Sequence, residues 1–554
     1  MKTNQLQVIP LGGMGEVTQN MYLFQYGDEL LIADCGIGFP DIYMPGADII
    51  IPDISYLLDQ LENGAKIVGL VLSHAHDDHI AALPYLLPEL PDFPIYGSAL
   101  TAGFSQERMK DQGIEKEVQV LHDGQTVSLG KYFEVTSLSM THSVPDTKHL
   151  VINTPEGIIY YGTDFKLDKQ PVDGVLSDLE TASKIGEQGV LMMMIDCLRV
   201  ERDDWSKSES TTGPAIEAEI QGVQGKFIIT LMSSHIHRIQ QVVDIAVAHR
   251  RKVVFIGRSV EQNVKVAQQL GKLNIPEGVK INKKKIDQYK DQELVIIIAG
   301  SQGQEGSSMV RAVFGEHSLV RITERDKVVI SADAIPGNEV PYYRAINELC
   351  RNKIQVIYPD IKPNIHHTGH AGAMEQAELL SRVRPKFVMP IGGADRHREL
   401  FRTRVAHSLG YQDNRVLIPA TGEVMAYYQN RWVVAEKIDL KPKIVDGLGV
   451  GDVGPVVFSD RRALSEAGIV VVIIPRKNNH FLTDQIEVVS RGFVFMKQAG
   501  EVITFIEETT SELVKQNTKY KDFELKQNVE KGLQKRLYQV IQREPIVVAV
   551  ISDR

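Results

Sequence analysis

His74-Ala-His76-Asp77-Asp78-His79 follows directly on Lys66-Ile-Val-Gly-Leu-Val-Leu-Ser73 and runs into Ile80-Ala-Ala-Leu-Pro-Tyr-Leu-Leu87. The leading flank is apolar and β-branched and reads as a buried strand. The trailing flank reads as the start of a helix. Three imidazoles and two carboxylates therefore sit at a strand-to-helix turn, where the backbone aims them at one point. Imidazole nitrogen with carboxylate oxygen suits zinc or a similar divalent ion. The order His-x-His-x-Asp-His offers two ligand pairs, His74 with His76 and Asp78 with His79, which points to two metals. A histidine-rich surface loop is the poorer reading, because a random segment seldom packs five such groups behind a buried strand.

Outward from this turn, short apolar strands alternate with turns and a few helices to about residue 213. Strands are expected at Gln7–Pro10, Asn20–Phe24, Glu29–Asp34, Ile67–Leu72, Phe133–Leu138, Gly157–Tyr161 and Leu191–Asp196. Units of strand then helix follow: Lys226–Thr230 before a helix at 236–249, Lys252–Ile256 before one near 260–271, then strands Leu294–Ala299 and Lys327–Ser331. This alternation indicates a parallel α/β layer. A third region opens with the glycine-rich stretch Asp446–Gly454. It is expected to hold strands near 469–474 and 502–506, a long charged helix near 508–541 and a last strand Pro545–Ile551.

Further metal-type side chains lie at strand ends. His142 stands in Met140-Thr-His142-Ser-Val-Pro-Asp146, just after the expected strand at 133–138. Asp164 follows Ile158-Ile-Tyr-Tyr-Gly-Thr163. Alone, one reads as a surface histidine and the other as a turn residue or helix cap. Beside the histidine cluster they supply a third imidazole and a bridging carboxylate. Asp34 reads either as a group that orients a ligand histidine or as a turn aspartate.

The 554 residues suit about three to four domains. An apolar content of 43% and a charged content of 24% are ordinary for a water-soluble globular chain. Cys35, Cys197 and Cys350 are far apart and form no CxxC pair, which fits a reducing compartment. The segment Met1-Lys-Thr-Asn-Gln-Leu-Gln lacks the apolar core of a signal peptide, and runs such as Ile469-Val-Val-Val-Ile-Ile474 are too short to span a bilayer. A cytoplasmic protein without a membrane partner is expected. The net charge of −10 argues against a chain coated with nucleic-acid-binding charge but leaves room for a local basic groove.

The strand–His-x-His-x-Asp-His–helix unit, with a distant histidine and a strand-end aspartate, resembles the metallo-β-lactamase fold. Ser234-His-Ile-His237-Arg-Ile-Gln-Gln241, Gly257-Arg-Ser259, Gly300-Ser-Gln-Gly303, Ile335-Pro-Gly-Asn-Glu339 and His367-Thr-Gly-His370-Ala resemble the β-CASP nucleases of RNA and DNA. With Val445-Asp-Gly-Leu-Gly-Val-Gly-Asp452, Ser490-Arg-Gly-Phe493 and Arg543-Glu-Pro545, the set resembles the ribonuclease J family nearly end to end. The resemblance implies an α/β fold: an αββα metallo-β-lactamase sandwich over 1–213 and 346–448 (the latter including a linker), an inserted β-CASP domain over 214–345, and a small α+β domain over 455–554. It implies a metal-dependent ribonuclease that degrades or matures single-stranded RNA from a 5′-monophosphate end, with endonuclease activity besides, through metal-activated hydroxide attack on the phosphodiester.

The same resemblance implies roles. His74, His76 and His142 hold one metal; Asp78 and His79 hold the other; Asp164 bridges. Asp78 and His370 are catalytic, His370 contacting the scissile phosphate and assisting proton transfer. Gly300–Gly303, through Ser301, Gln302 and Gly303, cradles the 5′-phosphate, the rival being a tight glycine turn without a ligand. Ser234, Arg238, Arg258, Ser259, Thr368 and Gly369 line the RNA path, although surface arginines are common. Lys283-Lys-Lys285 reads as a solvated loop. Zn2+ is the expected metal, with Mn2+ or Mg2+ as alternatives. A homodimer or homotetramer is implied, as is association with a paralogue subunit or a degradation complex. The region 455–554 is expected to serve assembly.

One position departs from the family pattern. After Arg384-Pro-Lys-Phe-Val-Met-Pro390 the family usually reads Val-His-Gly-Glu, whereas this chain reads Ile391-Gly392-Gly393-Ala394-Asp395-Arg-His397. The histidine that completes the second metal site is Gly392 here, and His397 is a candidate substitute. His235 and Cys197 replace the more common asparagine and serine. The change at Gly392 keeps two rival readings open: a weakly active or inactive RNA-binding subunit, and a small-molecule metallo-hydrolase on the same fold.

Overall fold

Val190–Asp196 is buried along its whole length, which a strand achieves only when both faces of its sheet are covered. Alternate residues point opposite ways. Met192 and Met194 enter a core shared with Val8, Phe24 and Leu31, and Met193 and Ile195 enter another with Leu379, Leu380 and Phe401. This is the middle of a sandwich in the computed structural model, which describes residues 5–41, 43–335, 337–447, 449–493 and 499–554. Residues 1–4 of the N-terminal segment, Pro336 of the Ile335–Glu339 motif and Leu448 of the glycine-rich stretch lie outside the described residues.

Chain contacts separate residues 1–39 with 50–443 from residues 40–49 with 444–554. In the larger unit one sheet has eight strands, ordered Arg431–Lys437, Glu423–Tyr428, Leu6–Pro10, Tyr22–Tyr26, Glu29–Ala33, Lys66–Val71, Ile95–Gly97 and Gln119–Val120. The facing sheet has six, ordered Phe387–Ile391, Val190–Asp196, Gly157–Gly162, Lys148–Thr154, Phe133–Ser139 and Thr126–Leu129. Phe24, Tyr161, Met192 and Phe387 fill the space between them. The inserted layer has five parallel strands, ordered Lys252–Ile256, Leu294–Ile298, Phe227–Thr230, Lys327–Ile330 and Gln355–Ile357. Parallel neighbours need crossovers, and the helices Ile236–Ala248, Arg258–Gln269, Ser308–Val313 and Glu339–Arg351 provide them.

The smaller unit is built on Ile469–Lys477, which pairs antiparallel with Glu487–Arg491 and parallel with Ile546–Asp553. Leu525, Val529, Leu533 and Leu537 of the helix Asp522–Ile541 pack on this sheet with Val470, Val472 and Ile474. Here two expectations are corrected. Residues 502–506 are not a strand but part of the helix Ala499–Asn517, and the single helix expected over 508–541 is two helices. Val502-Ile-Thr-Phe-Ile506 is β-branched, but its apolar side chains recur with those at 513 and 514 at helical spacing. Ile506, Leu513 and Val514 are buried accordingly. The chain breaks before Asp522, where Lys521 is extended and two acids begin the next helix.

Two smaller differences bear on the site. The segment after His79 forms two short helices, Asp77–Ile80 and Leu83–Leu86, with Pro84 in the first turn of the second. The strand expected at Asn20–Phe24 begins at Tyr22. Asn20 instead donates its N–H to Asp78 O at 3.1 Å and accepts from Gly36 N at 3.0 Å.

Candidate metal centre

Strand ends collect the polar side chains. Asp34 follows Glu29–Ala33, His74 follows Lys66–Val71, His142 follows Phe133–Ser139, Asp164 follows Gly157–Gly162 and Gly392 follows Phe387–Ile391. Asp196 ends its own strand. Glycine permits the close approach of the loops. A Cβ on Gly36 would lie 1.6 Å from Asp78 O, and one on Gly369 would lie 2.8 Å from His142 Cε1.

Two groups of donor atoms converge. His74 Nε2 is 3.2 Å from His76 Nδ1, which is 3.1 Å from His142 Nε2. Asp164 Oδ2 is 3.6 Å from both His74 Nε2 and His142 Nε2. His79 Nε2 is 3.5 Å from Asp78 Oδ2 and 3.6 Å from Asp164 Oδ1. Donors held about 2.0–2.1 Å from a tetrahedral ion are about 3.3–3.4 Å apart, so both groups have the spacing of a coordination shell. Asp164 turns one oxygen to each group.

The outer atoms of these side chains are fixed. Asp34, fully buried at φ 60°, accepts from Ser73 N, Ser73 Oγ and Tyr161 OH, and its Oδ2 lies 2.8 Å from His79 Nδ1. That bond takes the Nδ1 proton and aims Nε2 inward. His142 Nδ1 donates to Gly369 O at 2.7 Å. His370 Nδ1 is 2.8 Å from Asp196 Oδ2, and its Nε2 is 3.8 Å from Asp164 Oδ2. Asp196, Asp164 and His370 thus form a third group.

Burial, then the mutual repulsion of the ring charges, holds His74, His76 and His142 well below the usual histidine range. Neutral imidazole is the form that ligates a metal. At His79 burial opposes charge, but Asp78, Asp164 and Asp34 outweigh it and push the ring up to about 10. His370 is pushed up to about 9, Asp196 and Asp164 prevailing over burial. Burial raises Asp164 to about 6 and also raises Asp78. The carboxylates are thus crowded into a space that favours cations. The donor set fits divalent metal; His74, His76 and His142 are already neutral, and an ion bound by His79 would displace its proton.

Gly392 has φ +64°, and a Cβ there would have Asp196 Oδ1 at 3.7 Å and Asp164 Oδ1 at 3.9 Å. The position faces the cluster but brings no donor to it. His397 does not substitute: its Nδ1 accepts from Ala394 N at 3.2 Å and its Nε2 lies 3.7 Å from Glu201, so the ring caps its own helix.

Other residues expected around the substrate are spread over the insert and its junction. Arg238 is a correction. It is completely buried, with its guanidinium on both oxygens of Glu209, on Ser331 O and His367 O, and 2.6 Å from His366 Nδ1. It ties the insert to the His367–His370 segment and offers no surface to RNA. Ser234 is buried at the start of that helix, while Arg258 is exposed and Ser259 half-buried. Gln302 is buried, with Nε2 donating to Asp333 O and Oε1 accepting from Ile335 N. Ser301 Oγ has Met232 Sδ at 3.8 Å. Gly300 and Gly303 have φ of 114° and 72°. The N–H groups of Ser301 and Gln302 have no partner among the described residues. Thr368 Oγ1 accepts from His370 N. Lys283–Gln288 is a short helix rather than a free loop, and Lys283 pairs with Glu261.

Sequence reasoning missed Asn20 and Asp196. Asp196 ends an apolar strand as Asp164 nearly does, and that shared position was the available signal. Asn20 follows the glycine-rich turn Gly12-Gly-Met-Gly15, which marks a tight loop but not its target.

Comparison with known proteins finds likeness over the whole chain. Residues 14–160 match the metallo-β-lactamase superfamily, 224–349 the ribonuclease J β-CASP domain and 456–554 the ribonuclease J C-terminal domain. Ribonuclease J 1 of Streptococcus pyogenes is 32% identical over 556 residues, covering 100% of this chain and 98% of the relative. Ribonuclease J 2 of Staphylococcus aureus is 32% identical over 559 residues, covering 100% and 99%. A protein of unknown function from Enterococcus faecalis shares the fold, with a TM-score of 0.53 at 15% identity over 76% of this chain and 100% of its own. No helix among the described residues is long and apolar enough to cross a membrane. Because the likeness runs through the insert and the C-terminal region as well as the metal motif, the chain belongs to the ribonuclease J family, and it is a ribonuclease.

Proposed function

We propose that the two donor groups hold a pair of divalent ions and that the chain removes nucleotides one at a time from the 5′-monophosphate end of single-stranded RNA, with internal cleavage as a second mode. The observation that carries this reading is the convergence of His74, His76, His142, Asp78, His79 and Asp164 on two coordination-sized spaces with Asp164 between them. Three imidazoles and a carboxylate suit Zn2+ in the first. Two carboxylates and one imidazole suit Mn2+ or Mg2+ as well as Zn2+ in the second. Ions held there supply a nucleophile from water at neutral pH and offset charge on the phosphate.

The chain's own residues do the rest. Asp164 keeps the two groups in register. Asp196 orients His370, so that a protonated Nε2 faces the space beside Asp164, where it donates to a phosphate oxygen and then to the leaving oxygen. Ser301 Oγ and the N–H groups of Ser301 and Gln302, which have no partner among the described residues, cradle the 5′-phosphate at a glycine turn. The side chain of Gln302 shapes that turn rather than touching RNA. Arg258, Ser259, Ser234, Gly303, Thr368 and Gly369 flank the strand. The insert expected over 214–345 is extended to Ile357, because the helix Glu339–Arg351 leads to the strand Gln355–Ile357 in its sheet. The sandwich is assigned to 1–213 and to the residues after Ile357 up to 448, and the assembly domain to 455–554. A cytoplasmic homodimer or homotetramer, able to join a paralogue subunit or a degradation complex, completes the reading.

The test is degradation of 5′-labelled RNA with metals varied. Wild type should release mononucleotides from monophosphate RNA. His76→Ala and Asp78→Ala should each lower the rate by about two orders of magnitude or more. Undiminished cleavage by both variants in chelator sinks the two-metal reading, and equal trimming of monophosphate and triphosphate RNA sinks the cradle.

A further inference from the structure

We propose that the side chain of Asn20 supplies the fourth donor of the second metal group, which Gly392 leaves one protein ligand short. This deepens the metal-centre reading above and rests on it. Asp78, His79 and Asp164 provide three donors, and a tetrahedral ion takes four. The inward atom of the Asn20 carboxamide lies 3.1 Å from His79 Nε2 and 3.5 Å from Asp78 Oδ2. Those separations match the 3.5 Å and 3.6 Å that His79 Nε2 keeps from Asp78 and Asp164. They also match the edge of about 3.3–3.4 Å expected between ligands of one ion.

The residue is built into place. Asn20 is 1% exposed, its N–H donates to Asp78 O and its carbonyl accepts from Gly36 N. Its backbone therefore grips the same turn that carries Asp78 and His79. Gly392 adds no donor of its own: a Cβ there would meet only Asp196 Oδ1 at 3.7 Å and Asp164 Oδ1 at 3.9 Å.

In the structure the amide nitrogen faces inward, with Val17 O at 3.3 Å and Asp78 O at 3.4 Å, and Oδ1 accepts from Tyr22 OH at 3.3 Å. A half-turn of the carboxamide exchanges nitrogen and oxygen in nearly the same volume. Oδ1 then faces the ion, at the cost of the long hydrogen bonds that Nδ2 gives to Val17 O, Asp78 O and Asp78 Oδ2. Nδ2 donates to Tyr22 OH, which goes on donating to Gly13 O at 3.1 Å. The Tyr22 hydroxyl serves either orientation, whereas Val17 O and Asp78 O can only accept and favour nitrogen inward, so the oxygen-inward form depends on the metal bond it gains. A neutral carboxamide oxygen is a harder donor than imidazole, so it lets this group take Mn2+ or Mg2+ as well as Zn2+, the two former adding water to reach six ligands.

The experiment uses the full chain as wild type, Asn20→Ala and Asn20→Asp. Each is titrated calorimetrically with Mn2+ and separately with Zn2+, and retained metal is counted by plasma mass spectrometry after dialysis. Wild type should hold one ion tightly and a second more weakly. N20A should keep the first ion and bind the second about tenfold or more weakly. N20D, which presents oxygen in either orientation and nearly preserves shape, should bind the second at least as well as wild type. Equal second-ion affinity in wild type and N20A overturns the assignment. Tighter binding by N20A also overturns it, since the amide would then be a plug. A wild type that takes up no ion overturns the metal-centre reading itself, an outcome distinct from both.

Discussion

Outside the metal groups, Glu209 and Arg238 form a buried pair whose separation is costly. Both are buried, and the guanidinium is taken up by the carboxylate and by carbonyls of two other segments. Replacing one partner strands the other charge without water, a loss of about 3–5 kcal/mol. Glu209→Gln should show that loss in urea unfolding and should also loosen the His367–His370 segment. Although burial opposes its charge, Arg238 and His235 hold the Glu209 carboxyl well below its ordinary 4.5. With a depressed folded value, its stabilisation is complete above 4.5 and is lost as the pH falls through the folded value. E209Q should therefore flatten the acid limb of the stability profile. An unchanged acid limb, or a loss under 1 kcal/mol by the measure above, refutes this account.

Turns decide more than strands at the next scale. Gly36→Ala places a Cβ on the carbonyl of Asp78, so the turn carrying Asp78 and His79 must move. Stability should fall by about 1–3 kcal/mol, and second-ion binding should weaken more than first-ion binding. Equal loss at both groups would show that the two are not positioned separately. Gly303→Ala meets Pro341 C and O at 2.5 Å from a backbone at φ +72°. It should abolish the preference for 5′-monophosphate RNA while metal content stays at the wild-type level. Retained preference, measured on matched monophosphate and triphosphate RNAs, removes the loop from recognition.

At the scale of the molecule, the C-terminal unit has its own core and a helix, Asp522–Ile541, with Phe523 70% and Val540 61% exposed. Its only histidine, His480, is exposed, and no metal-type group is found there among the described residues. Exposed aromatic and aliphatic side chains on one helix suit a self-complementary interface. A chain ending at residue 443 should retain bound metal but have fewer subunits by light scattering. The same subunit number in both chains assigns assembly elsewhere.

What sequence alone determined here are the features that depend on local order. The run from Lys66 to His79 specifies a strand, a turn and a set of metal-type donors within a few residues, because strand alternation and donor chemistry are both local. The parallel insert was legible for the same reason, strand following helix at regular spacing. Tertiary structure alone decided which separate segments meet. Arg238 looks like a surface arginine until Glu209, Ser331 and His367 close around it. His397 looks like a spare ligand until its own helix takes its ring nitrogen. Asn20 and Asp196 reach the cluster across 58 and 174 residues of chain. Val502–Ile506 has β-branched side chains yet is helical, because burial at 506, 513 and 514 outweighs local preference. Proximity across long separations is set by how sheets stack and loops close, and no short window of sequence contains it.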